Sequence, residues 1–473
     1  MNPTVATLVY AAGIVALFVF GRDRGAKSSA ALWIPVAWLW IVGSRDVSHW
    51  LAIAGIGTYT ASDPDLEGNA VDRIVFGALI LLGIIALAGR GPEVRRLLST
   101  NVPIILFFLY CLMSTLWSDY PTVALKRWIK AVGDLVMVLI VLTERDWIAA
   151  LRRILTRVGF VLIPLSVLFI KYYPALAVDY KQWSGKAMYS GITTTKNLLG
   201  MVCLVFGIAS LWRLFTAFRE RHTRLRIPHL VAHTAILVMA AWLLRMCNSM
   251  TSIACLLLAG ILLGLMNIPF LARKRSVLHF LVAAAVMVSA STLFLGTGAG
   301  ALESMGRDPT LTGRTEIWKL VLTLAGNPFV GTGFESFWTG TRLRQVWSVM
   351  FGIQEAHNGY LELYLNLGWV GVTLFASVVL YGYRSVTAAM REDFSSGSIR
   401  VAYFVIAVIY NFTEAGFRMC FMAWIFFLLA IMPSPAKRRV GGHSGMLPQR
   451  KTGQIEGLVA VGRSEEHPVF ERV

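Results

Sequence analysis

The chain has 473 residues, of which 56% are hydrophobic and 15% charged, with mean hydropathy +0.64. A soluble protein of this size carries about 25% charged residues, so the composition excludes a soluble globular enzyme and implies a membrane-embedded protein. The net charge of +18 does not signal nucleic acid, because most cations fall in short loops between apolar runs, where they anchor spans on the cytoplasmic side.

Apolar runs able to cross about 30 Å of hydrocarbon as helices begin at the first residues and recur to residue 432. The first, residues 5–20, has neither a basic lead-in nor a small-residue cleavage site and reads as a span rather than a cleavable signal. In chain order, spans are expected at 4–20, 30–43, 72–89, 102–117, 127–143, 155–170, 197–213, 229–246, 251–271, 277–295, 358–382, 400–412 and 416–432. That is an all-α polytopic protein with about twelve or thirteen transmembrane helices. Cation-rich loops, from Arg22/Arg24/Lys27 through Arg273/Lys274/Arg275 to Lys437/Arg438/Arg439, fall in alternate positions without exception. The positive-inside rule then predicts an N-terminus outside and a C-terminus in the cytoplasm.

Residues 1–432 read as one membrane domain containing a long loop at 296–357 on the outer face. The stretch 433–473 is rich in Gly, Ser, Pro and mixed charge, as expected of a disordered cytoplasmic tail. The five cysteines lie in or beside apolar runs without CxxC spacing, so they suggest packing rather than disulfides or a zinc site. The chain has no internal repeat and no glycine-rich nucleotide loop, which argues against ATP-driven work.

Some cations break the topology rule. Lys126, Arg127 and Lys130 open a helix from the outer side; Lys171, Lys181, Lys186 and Lys196 surround the entry to the seventh span. Arg245 closes the eighth span before the polar turn 248–252, and Arg307, Arg314, Arg342 and Arg344 belong to the long loop. Each has a plain explanation, snorkelling to headgroups. Together they suggest an outward-facing basic pocket, and the fixed fork of arginine suits phosphate oxygens.

Within the long loop, Ile317, Leu320, Val321 and Leu324 share one face of an amphipathic helix expected at 314–325, with Trp318 suited to the interface. Asn327-Pro328 ends it. Gly331-Thr-Gly333 is a tight turn, either a plain connection or a place where backbone approaches a ligand. His357-Asn358 stands at the mouth of the next span. Asn358 suits a helix N-cap. His357 is either a structural hydrogen-bonder or a group that orients or deprotonates a sugar hydroxyl. Glu355 and Glu362 flank it as partners, Glu362 alternatively complementing the helix dipole. Glu414 and Arg418, four apart, suggest an ion pair with each other.

The order G-R-x-x-x-W, N-P-F-x-G-x-G, A-H-N-x-Y-L and G-W-x-G across residues 313–371 resembles the signature of the O-antigen ligase and polymerase superfamily. The T-K-N-L-L-G segment at 195–200 and N-F-T-E at 411–414 resemble its exopolysaccharide polymerase branch, of the ExoQ type. The resemblance implies a GT-C-like membrane fold and a metal-independent glycosyltransferase of the bacterial inner membrane that needs no cofactor. It implies donors and acceptors that are glycans carried on undecaprenyl diphosphate, handled on the periplasmic face alongside other polysaccharide assembly and export proteins. Carried over by motif, Arg314 and His357 become the catalytic pair. Arg245 is placed like an arginine that binds the donor diphosphate. From the reading of the residues themselves, Lys196 and Arg127 are expected to help hold it, and Asn358, Glu355, Gly331 and Gly333 are counted as substrate-binding by their place in the loop. A ligase acting on a lipid or protein acceptor is the alternative within the class, and a transporter of lipid-linked sugars the alternative outside it.

Overall fold

A computed structural model describes residues 2–22, 28–56, 68–180, 185, 187–219, 226–268, 279–287 and 314–433. Hydrocarbon offers no partner to backbone N–H and C=O groups, so apolar runs fold into helices that pair them internally. First come α1 (Pro3–Phe20), α2 (Trp33–Val42), the short α3 (Val47–Ile53) and α4 (Ala70–Ala88). α5 (Gly91–Thr100) and α6 (Val102–Ser114), the latter extended by a 3-10 turn to Trp117, meet at a bend of 87°. Next are α7 (Pro121–Leu142), α8 (Trp147–Tyr172), a single turn α9 (Pro174–Ala177), α10 (Lys196–Arg219), α11 (Arg226–Cys247) and α12 (Met250–Met266). Residues 279–287 are also helical. The series closes with α13 (Arg314–Thr323), α14 (Gly340–Val349), α15 (Gly359–Glu392), α16 (Phe394–Tyr410) and α17 (Met422–Ile431).

Six of these helices are long and apolar enough to cross a membrane alone, and the bent α5–α6 pair makes up to seven. Shorter apolar helices include α12, α16 and α17. All residues of α17 are buried, so it runs through the interior of the bundle. α7 is long enough to span but carries Lys126, Arg127, Lys130 and Asp134. Helix occurs at every expected span, although at 277–295 only 279–287 are described. The expected tail at 433–473, the first part of the long loop, and Lys181, Lys186 and Arg307 lie outside the described residues, Pro433 excepted.

Three local features differ from the sequence expectation. A small antiparallel hairpin pairs Val178–Tyr180 with Ala187–Tyr189, a local addition to an all-α polytopic architecture. The last expected span, 416–432, is helical only from Met422; residues 411–421 form an irregular turn shaped by Asn411, whose Oδ1 accepts from the N–H groups of Gly416 (2.7 Å) and Phe417 (2.9 Å). The third is a break in the expected span 358–382.

That break lies at Gly368, where φ is 61° and ψ −167°, inside α15. A break frees backbone groups on both sides, and an unpaired group inside a membrane protein is costly. The segment 327–333 supplies the partners. The N–H groups of Trp369 and Val370 donate to the carbonyls of Pro328 (2.9 Å) and Phe329 (3.0 Å). In return the N–H groups of Thr332 and Gly333 donate to the freed carbonyls of Leu365 (3.1 Å) and Asn366 (2.8 Å). Glycine permits the approach: a Cβ on Gly331 would lie 2.4 Å from the Asn366 carbonyl, and one on Gly368 2.3 Å from that of Phe329. The Gly-Thr-Gly turn therefore plugs a broken helix.

α13 packs its Ile317 and Val321 against Phe337, Ala356 and Leu365 in a small core separate from the main one. Trp318 of α13 donates its Nε1–H to the Ala356 carbonyl at 2.8 Å, bracing the residue before His357. α14 is a further loop helix not anticipated from the sequence.

Candidate functional site

A cavity of about 460 Å³ opens where the ends of several elements converge. α6 and α7 contribute Phe107, Phe108, Arg127 and Trp128, and the start of α10 contributes Asn197. The plug segment contributes Phe334 and Glu335; the turn before α15 contributes Glu355; the 411–421 turn contributes Glu414 and Arg418. One side is aromatic. Phe375 lies 4.6 Å from Phe417, ring centre to ring centre, and both pack around Trp424 and Phe427. The other side is charged. An apolar wall beside a set of fixed polar groups suits an amphipathic ligand.

The charged side is one connected network. His357 Nδ1 lies 3.0 Å from Glu355 Oε1 and 3.3 Å from Glu414 Oε2. Arg314 pairs with Glu414 at 3.2 Å, and Arg418 with Glu355 at 3.1 Å. Asn197 donates to Glu414 Oε2 at 3.3 Å. Glu414 therefore joins elements that begin at residues 196, 314 and 359. The backbone holds the same junction, because the Gly359 N–H donates to the carbonyls of Asn411 (2.8 Å) and Glu414 (3.1 Å).

The network fixes the charges of its members. Burial opposes ionisation of Glu355, but Arg418 and the His357 hydrogen bond outweigh it and hold its carboxyl down to about 2. Burial also disfavours the His357 cation, yet hydrogen bonds to Glu355 and Glu414 prevail and push the imidazole up to about 9. For Arg418 the desolvation of its site is likewise overcome, chiefly by Glu355, and the guanidinium is held more firmly charged. At neutral pH His357 is thus an imidazolium clamped between two carboxylates, with Nδ1 engaged and the Nε2 proton available to donate.

The sequence-derived site residues fall into three groups. Arg314, His357 and Glu355 meet in the network, where Glu355 lines the cavity and Arg314 and His357 stand behind the wall residues Glu355 and Glu414. Arg127 lines the cavity with its guanidinium on the Glu335 carbonyl. Asn358 caps α15, accepting from the N–H groups of Tyr360 (3.0 Å) and Leu361 (3.1 Å). Gly331 and Gly333 serve the plug and do not line the cavity. Lys196 is half-buried beside Asn197 but does not line the cavity, and Arg245 is exposed at the end of α11, also away from it. Other cations read as misplaced have local partners: Lys130 over Phe76, Lys171 over Trp242, and Arg342 paired with Asp119 at 2.5 Å.

Glu414 and Arg418 do not pair with each other as their spacing suggests. The 411–421 turn is not helical, so residues four apart share no face, and each reaches a different loop partner. Glu362 binds the Trp338 Nε1–H (2.8 Å) and the Ala356 N–H (2.5 Å), closing the turn around His357. Glu335 and the aromatic wall had no sequence signal of their own. Glu414 did carry one, the N-F-T-E segment, but its partners lie 57 to 217 residues away in the chain. The ligand atoms of Glu355, His357 and Glu414 lie within 4.8 Å of one another, as a metal site would require. A metal ion there would compete with Arg314 and Arg418 for the same carboxylates.

Residues 235–376, which include Arg314, Glu335, Glu355 and His357, match the family model described as O-antigen ligase. The chain is also 25% identical over 292 residues to the exopolysaccharide production protein ExoQ of Rhizobium meliloti (strain 1021), an alignment covering 59% of this chain and 63% of that protein. The match thus spans less than two thirds of the relative's length. The plug, the His-Asn turn and the network residue Arg314 all fall within the matched segment. Part of the chain thus matches the O-antigen ligase family model, and the chain is similar to an exopolysaccharide production protein.

Proposed function

We propose that the protein polymerises undecaprenyl-diphosphate-linked oligosaccharide repeat units into exopolysaccharide on the periplasmic face of the bacterial inner membrane. The observation that carries this reading is the cavity itself, in which an aromatic wall adjoins Arg127 and Arg418, with Arg314 behind Glu414 of the cavity wall. A lipid-linked sugar diphosphate has that same division, apolar at one end and anionic in the middle. The likeness to ExoQ and the alternation of cationic loops support the substrate class and the face.

In this reading an acceptor hydroxyl attacks the anomeric carbon of the donor sugar in one displacement, inverting that centre. The bond to the lipid diphosphate breaks, and its electrons leave with the phosphate. Arg127, Arg418 and Arg314 stabilise the charge that grows there. Arginine supplies this without a metal, through fork-shaped donation to phosphate oxygens. His357 contributes as a cation and hydrogen-bond donor from behind Glu355 and Glu414. The family description also supports a second reading, transfer of finished glycan to a separate acceptor.

Purified protein supplied only with lipid-linked repeat units distinguishes these readings by mass spectrometry. A polymerase lengthens the glycan; a ligase leaves it unchanged until a second acceptor is added. Product formed in detergent, without a sealed membrane, excludes pure transport. Arg127→Ala and Arg314→Ala are expected to abolish product, and full activity in both variants refutes the diphosphate pocket.

A further inference from the structure

Four non-glycine residues among those described have positive φ: Asn248 (49°), Glu335 (51°), His357 (50°) and Cys420 (51°). This backbone region disfavours ordinary side chains and marks places where the surroundings impose a conformation. Three of the four surround one space. Glu335 and Cys420 line the cavity, and His357 touches its wall residues Glu355 and Glu414.

The surroundings of Glu335 are unusually well defined. Its carbonyl accepts from Arg127. Before it, the Phe334 N–H donates to Ser114 Oγ at 3.0 Å. After it, the N–H groups of Ser336 (2.8 Å) and Phe337 (3.0 Å) both donate to Asn366 Oδ1. The backbone is therefore fixed on both sides, and the side chain is directed to the cavity. The other carboxylates there are already engaged. Glu355 holds Arg418 and His357; Glu414 holds Arg314, His357 and Asn197; Glu362 holds Trp338 and the Ala356 N–H. Among the described residues, the Glu335 side chain has no hydrogen-bond or ion-pair partner at contact distance, although its carboxylate lies near enough to Arg418 to favour that cation.

We infer that Glu335 is the general base of the transfer reaction, accepting the proton of the acceptor sugar hydroxyl. The inference rests on the glycosyl-transfer reading above and assigns it a residue that the family motifs did not single out. In the step, the acceptor oxygen forms its bond to the anomeric carbon as the carbon–oxygen bond to the diphosphate breaks. The electron pair of that bond leaves with the diphosphate. The hydroxyl proton passes to the Glu335 carboxylate, which becomes a carboxylic acid and returns the proton to water after product leaves. His357 does not compete for this role, because between two carboxylates its ring is held as the imidazolium, whose nitrogens both carry protons and leave no lone pair to accept another.

The test uses full-length protein in nanodiscs with undecaprenyl-diphosphate-linked repeat units extracted from the source cells. Glu335→Gln removes the base but keeps the shape; Glu335→Gly removes the side chain at a φ that glycine tolerates, so folding is retained. Both variants are expected to lower kcat by about 10² or more with little change in donor KM. Added formate is expected to restore turnover to Glu335→Gly but not to Glu335→Gln, where the amide fills the space. A purely structural role predicts neither the formate rescue nor the kcat-only loss. Glu335→Gln retaining wild-type kcat, beside an active wild type, overturns the assignment of Glu335 alone. Wild-type protein that leaves the donor unchanged, with or without added acceptor, overturns the glycosyl-transfer reading and this step with it.

Discussion

Replacing Gly368 with alanine tests the plug directly. Gly368 sits at φ 61° and ψ −167°, a region essentially reserved for glycine, where another residue costs roughly 1–3 kcal/mol. The new Cβ would fall 2.3 Å from the carbonyl carbon and oxygen of Phe329, which are backbone atoms and cannot swing aside as a side chain does. Withdrawal of residues 328–330 then breaks the bonds from Trp369 (2.9 Å) and Val370 (3.0 Å), worth about 1 kcal/mol each and more if the freed groups stay buried. The sum is roughly 3–5 kcal/mol. At about 2 °C per kcal/mol for a large domain, Tm should fall by roughly 6–10 °C. The assay is thermal unfolding of the purified variant in detergent, with Gly77→Ala as control. Gly77 has nothing within 4 Å of its would-be Cβ and should leave Tm nearly unchanged. A Gly368→Ala protein that melts within about 1 °C of wild type would refute the account of the break and its plug.

Three further expectations follow from the network and its edges. His357 is raised from 6.5 to about 9, so its stabilisation is fully present below about 6.5 and is lost as pH rises through about 9. Glu355 is lowered from 4.5 to about 2, so its share is present above about 4.5 and is lost as pH falls through about 2. Tm measured from pH 6 to 10 should therefore decline on the alkaline side, and His357→Gln should flatten that limb; parallel curves for the two proteins would count against the clamped imidazolium. Glu414→Gln removes the charge shared by Arg314 and His357, and it should lower polymer formation by at least about tenfold while shifting the alkaline limb toward lower pH. Arg342→Ala should cost less than about 1 kcal/mol, because Asp119 is half exposed and such surface pairs are weak; a Tm loss of more than about 3 °C would show that the pair is structural.

The apolar runs and their spacing were enough to locate the helices, since a chain in hydrocarbon has few other ways to pair its backbone. The amphipathic pattern at 314–325 likewise located α13, and Asn358 could be read as a cap from its position alone. These are local properties, carried by residues within a turn or two of each other. The break at Gly368 was not legible, because G-W-V-G looks like uninterrupted span until the partner segment 327–333 is brought against it. The same limit applies to the charges. Sequence marked Arg314, His357 and Glu355 as polar residues worth attention, but only the tertiary structure brought them to Glu414, whose partners come from three distant elements. Sequence also suggested that Arg245 and Lys196 share a pocket with them, whereas packing leaves both off the cavity wall. Helix formation is a short-range consequence of solvent and hydrogen bonding, and the sequence determined it; a charge network depends on which helix ends converge, and long-range packing decided that.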